Sequence, residues 1–173
     1  MADPAGARQR HGDRDDLTGE HAFTDVGQLV LAILFVGIWI ADSFFLTITT
    51  FLNLYLPLAV RIPAGGVLLV LAWLLSRASH RAIFGEARDE PQVVRTGVFS
   101  FVRHPMYLSE ILLYLGVLVM SLSLMAGAVW LVTIGFLYFI ARKEERLLLA
   151  RFGDAYSAYM HDVPMWFPRI RMR

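Results

Sequence analysis

Two polar clusters hold the residue types that could do chemistry in this chain: RTGVFSFVRHPMYLSE, Arg95 to Glu110, and ARKEERLLLARFGDAYSAY, Ala141 to Tyr159. In the first, Thr96 and Gly97 predict a turn and Pro105 a helix start, where its missing N–H does no harm. The remaining amides of such a first turn can take an anion, and Arg103 and His104 stand beside them. In the second, Glu144 and Glu145 are acceptor-only groups able to bind hydroxyls or an ammonium, while Arg142 and Lys143 limit their repulsion. Together the clusters suit a zwitterionic ligand that carries a sugar. The competing reading makes the basic residues topology anchors and the two glutamates a solvated helix end. Glu110, one turn inside an apolar helix, either faces a cavity or snorkels back to the headgroups. Asp42, near Ser43, Thr47 and Asn53, reads as a polar helix edge.

Other chemistries are excluded by composition. With no cysteine there is no thiolate nucleophile, disulfide, Cys-ligated zinc or iron–sulfur cluster. His11, His21, His80, His104 and His161 have no metal-ligand spacing, so no metal is expected. Neither G-x-G-x-x-G nor G-x-S-x-G occurs. A net charge of +1 gives no dense basic face, so no nucleic-acid partner is expected.

The elements that must position these residues are membrane helices. Of 173 residues, 57% are hydrophobic and 18% charged, and the apolar residues fall in long blocks that need lipid as a partner. The expected fold is all-α, a polytopic membrane protein with about four transmembrane helices. Val26 to about Leu52 forms the first. The pattern breaks around Pro57, Arg61 and Pro63, and Gly65 leads into a second helix ending near Leu75. A charged stretch from Ser76 to Val102 follows. Met106 to Ala141 contains a single ionisable group, Glu110, and is long enough for a tight helical hairpin turning near Ser121, Ser123 or Gly127. Its second arm runs on through RKEERLLLARFG to a cap at Gly153, and Tyr156, Tyr159, Pro164, Trp166, Phe167 and Pro168 form an aromatic tail suited to an interface.

Residues 1–22 mix charges without an apolar run and are expected to be a disordered cytoplasmic tail, retained because no cleavage pattern follows. Residues 23–173 form the membrane domain. All Lys and Arg residues except Arg61 lie in the tail, the central segment or the C-terminal part, which four spans place on one side. The positive-inside rule makes that side cytoplasmic, with both termini there. The expected location is a bacterial inner membrane, and the lipid bilayer is the first partner.

The run TGVFSFVRHPMYLSEILLYLG, followed after the hairpin by KEERLLLARFGDAYSAYMHDVPMWFPRI, resembles the C-terminal half of the isoprenylcysteine carboxyl methyltransferase family and its bacterial relatives, which include phospholipid methyltransferases. The resemblance covers about residues 91–170 and rests on R-H-P-x-Y, E-E and F-G-x-x-Y-x-x-Y in order. It implies an integral-membrane enzyme transferring methyl from S-adenosylmethionine to a lipid-like or small amphiphilic acceptor, a carboxylate, amine or thiol. It places the cofactor on the cytoplasmic side, with Val93, Val94, Phe99, His104, Pro105, Tyr107 and Glu144 around it and Arg103 orienting the site; with Glu110 and Glu145, Arg103 makes up the expected catalytic set. Two positions depart from the family: Phe99 stands for its usual tyrosine, and Ile140 for the arginine that meets a substrate carboxylate. Arg142 could replace that arginine only with a different geometry. A non-enzymatic membrane scaffold or channel, and a sterol-reductase-like enzyme binding a nicotinamide cofactor, are the alternatives.

Overall fold

The computed structural model describes residues 24–84 and 93–166, and the regular elements among them are all helical. The tail expected over 1–22, together with Pro91, Phe167 and Pro168, lies outside the described residues. Helix α1, Thr24–Leu46, finishes in a π-helical turn, Ala41–Leu46. It stops short of the expected Leu52 for a definite reason. The Asp42 carboxylate accepts from the Thr49 amide at 3.0 Å and from the Thr49 hydroxyl, which folds the chain back after Thr47, a residue in the left-handed region. A short 3-10 turn, Phe51–Leu54, leads onward.

Helix α2 spans Leu58–Phe84, starting before and ending after the expected limits. Pro63 lies inside it. Being in the second turn, it removes only the hydrogen bond its N–H would give to the Ala59 carbonyl, so the helix begins ahead of the proline that was expected to break it. At the other end, Arg77 packs over the Trp73 ring at 5.4 Å, and Arg77, His80 and Arg81, the first charged residues of the expected connecting segment, belong to the helix; residues 85–92 of that segment lie outside the described residues.

Helices α3, Pro105–Ser121, and α4, Leu124–Phe152, form the expected hairpin. Leu122 turns the chain in the left-handed region, and Ser123 caps α4 by accepting from the Ala126 amide at 3.2 Å. α4 runs 29 residues to Gly153, whose φ of 52° lets the chain turn into α5, Asp154–Asp162. By length and composition α1, α2 and α4 can cross a membrane; α3, at 17 residues, is the shorter arm.

Close backbone approach fixes how α2 and α3 pack. A Cβ on Gly65 would meet the Gly116 carbonyl oxygen at 2.6 Å, so neither helix could carry a side chain at that crossing without moving apart. On α1 a Cβ at Gly27 would fall 2.4 Å from the Phe136 ring of α4. Phe35 stacks on Tyr114 with ring centroids 4.5 Å apart, and Trp130 Nε1 donates to the Ile111 carbonyl at 3.0 Å. These contacts gather α1, α2 and α4 around α3.

The hairpin turn is tied down by two polar clusters. Asp42, fully buried, also accepts from the Ser123 hydroxyl at 2.6 Å, so the polar edge read from the sequence is an internal anchor between α1 and the turn. Arg61, also buried, donates to the Leu56 carbonyl at 2.9 Å, Asn53 Oδ1 at 2.5 Å and the Met120 carbonyl at 2.7 Å. Met120 belongs to the last turn of α3, whose carbonyls have no partner within the helix, and a cation there also meets the negative end of the dipole.

Candidate functional site

The site lies at the opposite end of the hairpin. Gly97, at φ 61°, opens a 3-10 turn, Gly97–Ser100, which delivers the chain to Arg103 and His104 just ahead of Pro105. The Arg103 and His104 amides then donate to the Pro164 and Met165 carbonyls at 2.9 and 3.2 Å. The segment after α5 therefore straps the start of α3.

Arg103 joins three elements. Its Nε and Nη2 lie 2.8 and 2.7 Å from Glu145 Oε1, and its Nη1 donates to the Met160 and Val163 carbonyls at 2.9 and 2.5 Å. Glu145 is only 1% exposed, which removes the solvated reading for it. Its second oxygen lies 3.3 Å from Arg142 Nη1. Ile140 is buried, and Arg142 turns toward Glu145. Arg103 at the end of α3's lead-in and Glu145 on α4 thus form an internal brace.

Beside this brace is a cavity of about 570 Å3, inside the roughly 300–1,000 Å3 range of small-molecule sites. Val93, Val94 and Phe99 line it, and Pro105 joins them at the base of α3. His104, Tyr107 and Glu144 supply its polar centre. The Tyr107 hydroxyl donates to Glu144 Oε1 at 2.5 Å, His104 Nδ1 is 3.6 Å from Glu144 Oε2, and the two rings stack 5.6 Å apart. His104 Nε2 lies 3.4 Å from Glu145 Oε1, so the imidazole bridges the two glutamates. Arg103 and Glu110 line the cavity as well; Glu145 does not and stands behind Arg103. The helical spacing explains the split: adjacent residues on α4 point about 100° apart, so one glutamate faces the cavity and the other the brace.

Sequence reading missed part of the lining. Tyr156 and Tyr159, expected at an interface, are each 3% exposed and form one wall. Tyr159 donates its hydroxyl to the Phe99 carbonyl at 2.7 Å, which fixes the 3-10 turn to α5. Burial pushes both phenols up, Tyr159 to about 12, so they remain neutral near pH 7. Their spacing of three residues after Gly153 is the signal that they share one helix face. Thr24, Asp25 and Gln28 of α1 also line the cavity, and nothing in the local sequence pattern marks them. Among the described residues no group of three His, Asp or Glu side chains gathers as a metal site.

A helical membrane protein with a largely apolar cavity that holds a few polar side chains beside its hairpin is the class that this fold and site define. Residues 54–155 match the family model described as phospholipid methyltransferase, and the chain belongs to that family, among the isoprenylcysteine carboxyl methyltransferase-like membrane methyltransferases. Two curated proteins are similar. The cobalt-zinc-cadmium resistance protein CzcN of Cupriavidus metallidurans is 30% identical over 92 residues, covering 53% of this chain and 42% of that protein. The nickel-cobalt-cadmium resistance protein NccN of Alcaligenes xylosoxydans xylosoxydans is 26% identical over 91 residues, 53% of this chain and 43% of that one. The match therefore spans less than half the length of each relative. No solved structure matches.

Proposed function

We propose that the protein is an S-adenosylmethionine-dependent methyltransferase that binds its cofactor in the 570 Å3 cavity and methylates an amphiphile reaching the site from the bilayer. The observation that carries this reading is the convergence of His104, Tyr107 and Glu144 on one cavity beside apolar Val93, Val94 and Phe99. That donor set fits the cofactor: a carboxylate for a hydroxyl or ammonium, and an apolar side with an aromatic face for a purine. Bound there, the cofactor supplies a sulfonium methyl already activated for displacement. The chain's contribution is alignment and exclusion of water. Tyr107 holds Glu144 in place, the Arg103–Glu145 brace fixes α3 against α4, and Tyr156 and Tyr159 close one wall. The positive-inside rule assigns the cavity, which lies beside Arg95, Arg103 and Arg142, to the cytoplasmic side.

Isothermal titration of the detergent-purified protein with S-adenosylhomocysteine tests the reading, with Glu144→Ala and a nicotinamide cofactor alongside. Saturable binding, weakened at least tenfold by the substitution and absent for the nicotinamide, is the expected result. A folded protein that binds no S-adenosylhomocysteine overturns it.

A further inference from the structure

The end of the molecule away from the cavity, where α1 connects to α2 and α3 turns into α4, is built for different surroundings. Between Asp25 and Arg77, and again between Glu110 and Arg142, the chain carries two charged side chains, Asp42 and Arg61, and both are buried. What this end shows instead is apolar. Phe44, Phe45, Ile48, Phe51, Leu54 and Tyr55 are each more than half exposed, Leu54 at 86%. Leu124 and Met125, exposed in their turn, donate their amides to the Thr49 carbonyl and hydroxyl, so the apolar surface continues from the connection onto the hairpin. A contiguous apolar patch of this kind marks a surface that meets lipid or protein and not water.

The polar groups of the same end are turned inward and paired with one another. The Thr47 amide donates to the Asp42 carbonyl at 2.9 Å, and the Asn53 and Tyr55 amides to the Thr50 and Leu52 carbonyls at 2.9 and 3.1 Å. Asp42 accepts from Thr49 and Ser123, while Arg61 takes the Leu56 and Met120 carbonyls. A connection in water has no need of this, because water supplies the partners; in a bilayer each backbone group left unpaired is costly. Length agrees. The 17 residues of α3 climb about 25 Å, a few ångströms less than the roughly 30 Å of a bilayer's hydrocarbon.

We infer that this end is a lipid-immersed cap: it stays within the leaflet away from the cavity, at the level of the headgroups, with Phe45 and Leu54 among the acyl chains and no surface open to water. Lipid is the occupant because the patch continues the faces that the spans already turn to lipid. Exposed Val36 and Ile40 lead along α1 to Phe44, and exposed Ile62 leads along α2 to Leu58 beside the connection. The Tyr55 phenol, 80% exposed, suits the boundary between acyl chains and headgroups. The inference is independent of the methyltransferase reading. Its consequence is one-sidedness: a water-soluble ligand or partner can meet the protein only at the cavity end.

The chain has no cysteine, so single thiols report on their surroundings without interference. Phe45→Cys, Leu54→Cys and, at the cavity end, Arg146→Cys all replace exposed side chains. Each is placed in phosphatidylcholine nanodiscs, which leave both bilayer faces open to solvent, and treated with a charged maleimide. The thiols at 45 and 54 should react at least about tenfold more slowly than the thiol at 146, since apolar surroundings disfavour the reactive thiolate and exclude the reagent. Denaturation in dodecyl sulfate should bring all three to the same extent of labelling. An uncharged fluorophore attached at 45 or 54 should then be quenched when the nanodisc lipid carries bromine on its acyl chains. Rapid reaction at either position puts this end in water and overturns the inference. Slow reaction without quenching by brominated lipid overturns it too, because protein, a second copy or another chain, then covers the patch.

Discussion

Arg103 directs two of its nitrogens, Nε and Nη2, at a single oxygen of Glu145, 42 residues further along the chain, leaving the other oxygen to Arg142. The pair is almost fully enclosed. Removing one partner of such a pair strands the other as a buried charge, at a cost of about 3–5 kcal/mol. Glu145→Ala should therefore lower the thermal unfolding midpoint sharply in detergent. The double substitution Arg103→Met, Glu145→Leu should recover much of that loss, because it strands no charge. A double variant as unstable as the single one would show that the Arg103 contacts to Met160 and Val163, and not the pairing itself, hold the brace.

Tyr107→Phe keeps the ring that stacks on His104 and removes only the hydroxyl that donates to Glu144. Glu144 is partly open to solvent, so water can replace part of the lost bond. The expected penalty is about 1 kcal/mol of stability or less, and S-adenosylhomocysteine affinity should fall because Glu144 is no longer held in place. Titration and thermal melts on the same preparation check both halves.

The crossing of α2 and α3 predicts opposite outcomes at neighbouring glycines. Gly65→Ala puts a methyl against the Gly116 carbonyl and should destabilise by about 1–3 kcal/mol. Gly66→Ala meets nothing within 4 Å and should be neutral or slightly stabilising, since alanine favours the helix. Thermal melts of the two variants in one detergent make the comparison.

Asp42→Ala leaves the Ser123 and Thr49 hydroxyls and the Thr49 amide without their acceptor. A loss of about 1–3 kcal/mol per stranded buried group should reduce stability clearly. Asp42 and Asp25 lie on one helix, about 26 Å apart at its usual rise. Cofactor affinity of the folded fraction should therefore match the parent protein, and an equal loss of both would show that the two ends of α1 are coupled.

The elements legible in the sequence were those governed by local rules. Leu, Ile and Val blocks set the spans, Ser123 and Gly153 mark the ends of α4, and Gly97 marks the turn before Arg103. The motif order that carries the family resemblance also marks Val93, Phe99, His104, Tyr107 and Glu144, which line the cavity. What escaped was set by distant partners. Arg61 reads as an outlier among basic residues until Asn53 and Met120 close around it. Nothing next to Glu144 and Glu145 says which of them meets Arg103, because that depends on how α4 is rotated against α3. Pro63 looked like a boundary because a proline's cost depends on which turn it occupies, and the start of α2 could not be fixed without the residues it packs on.

The continuity of α4 turns it into a ruler. From its cap at Ser123 to Glu144 the helix climbs about 32 Å at its regular rise, close to the roughly 30 Å thickness of a bilayer's hydrocarbon. The axial distance between the hairpin turn and the cavity is thus written into the residue count of one helix. A single inserted residue would lift Glu144 by only about 1.5 Å but swing it about 100° around the axis. The chain can change what surrounds the cavity far more readily than it can change how far that cavity sits from the hairpin turn.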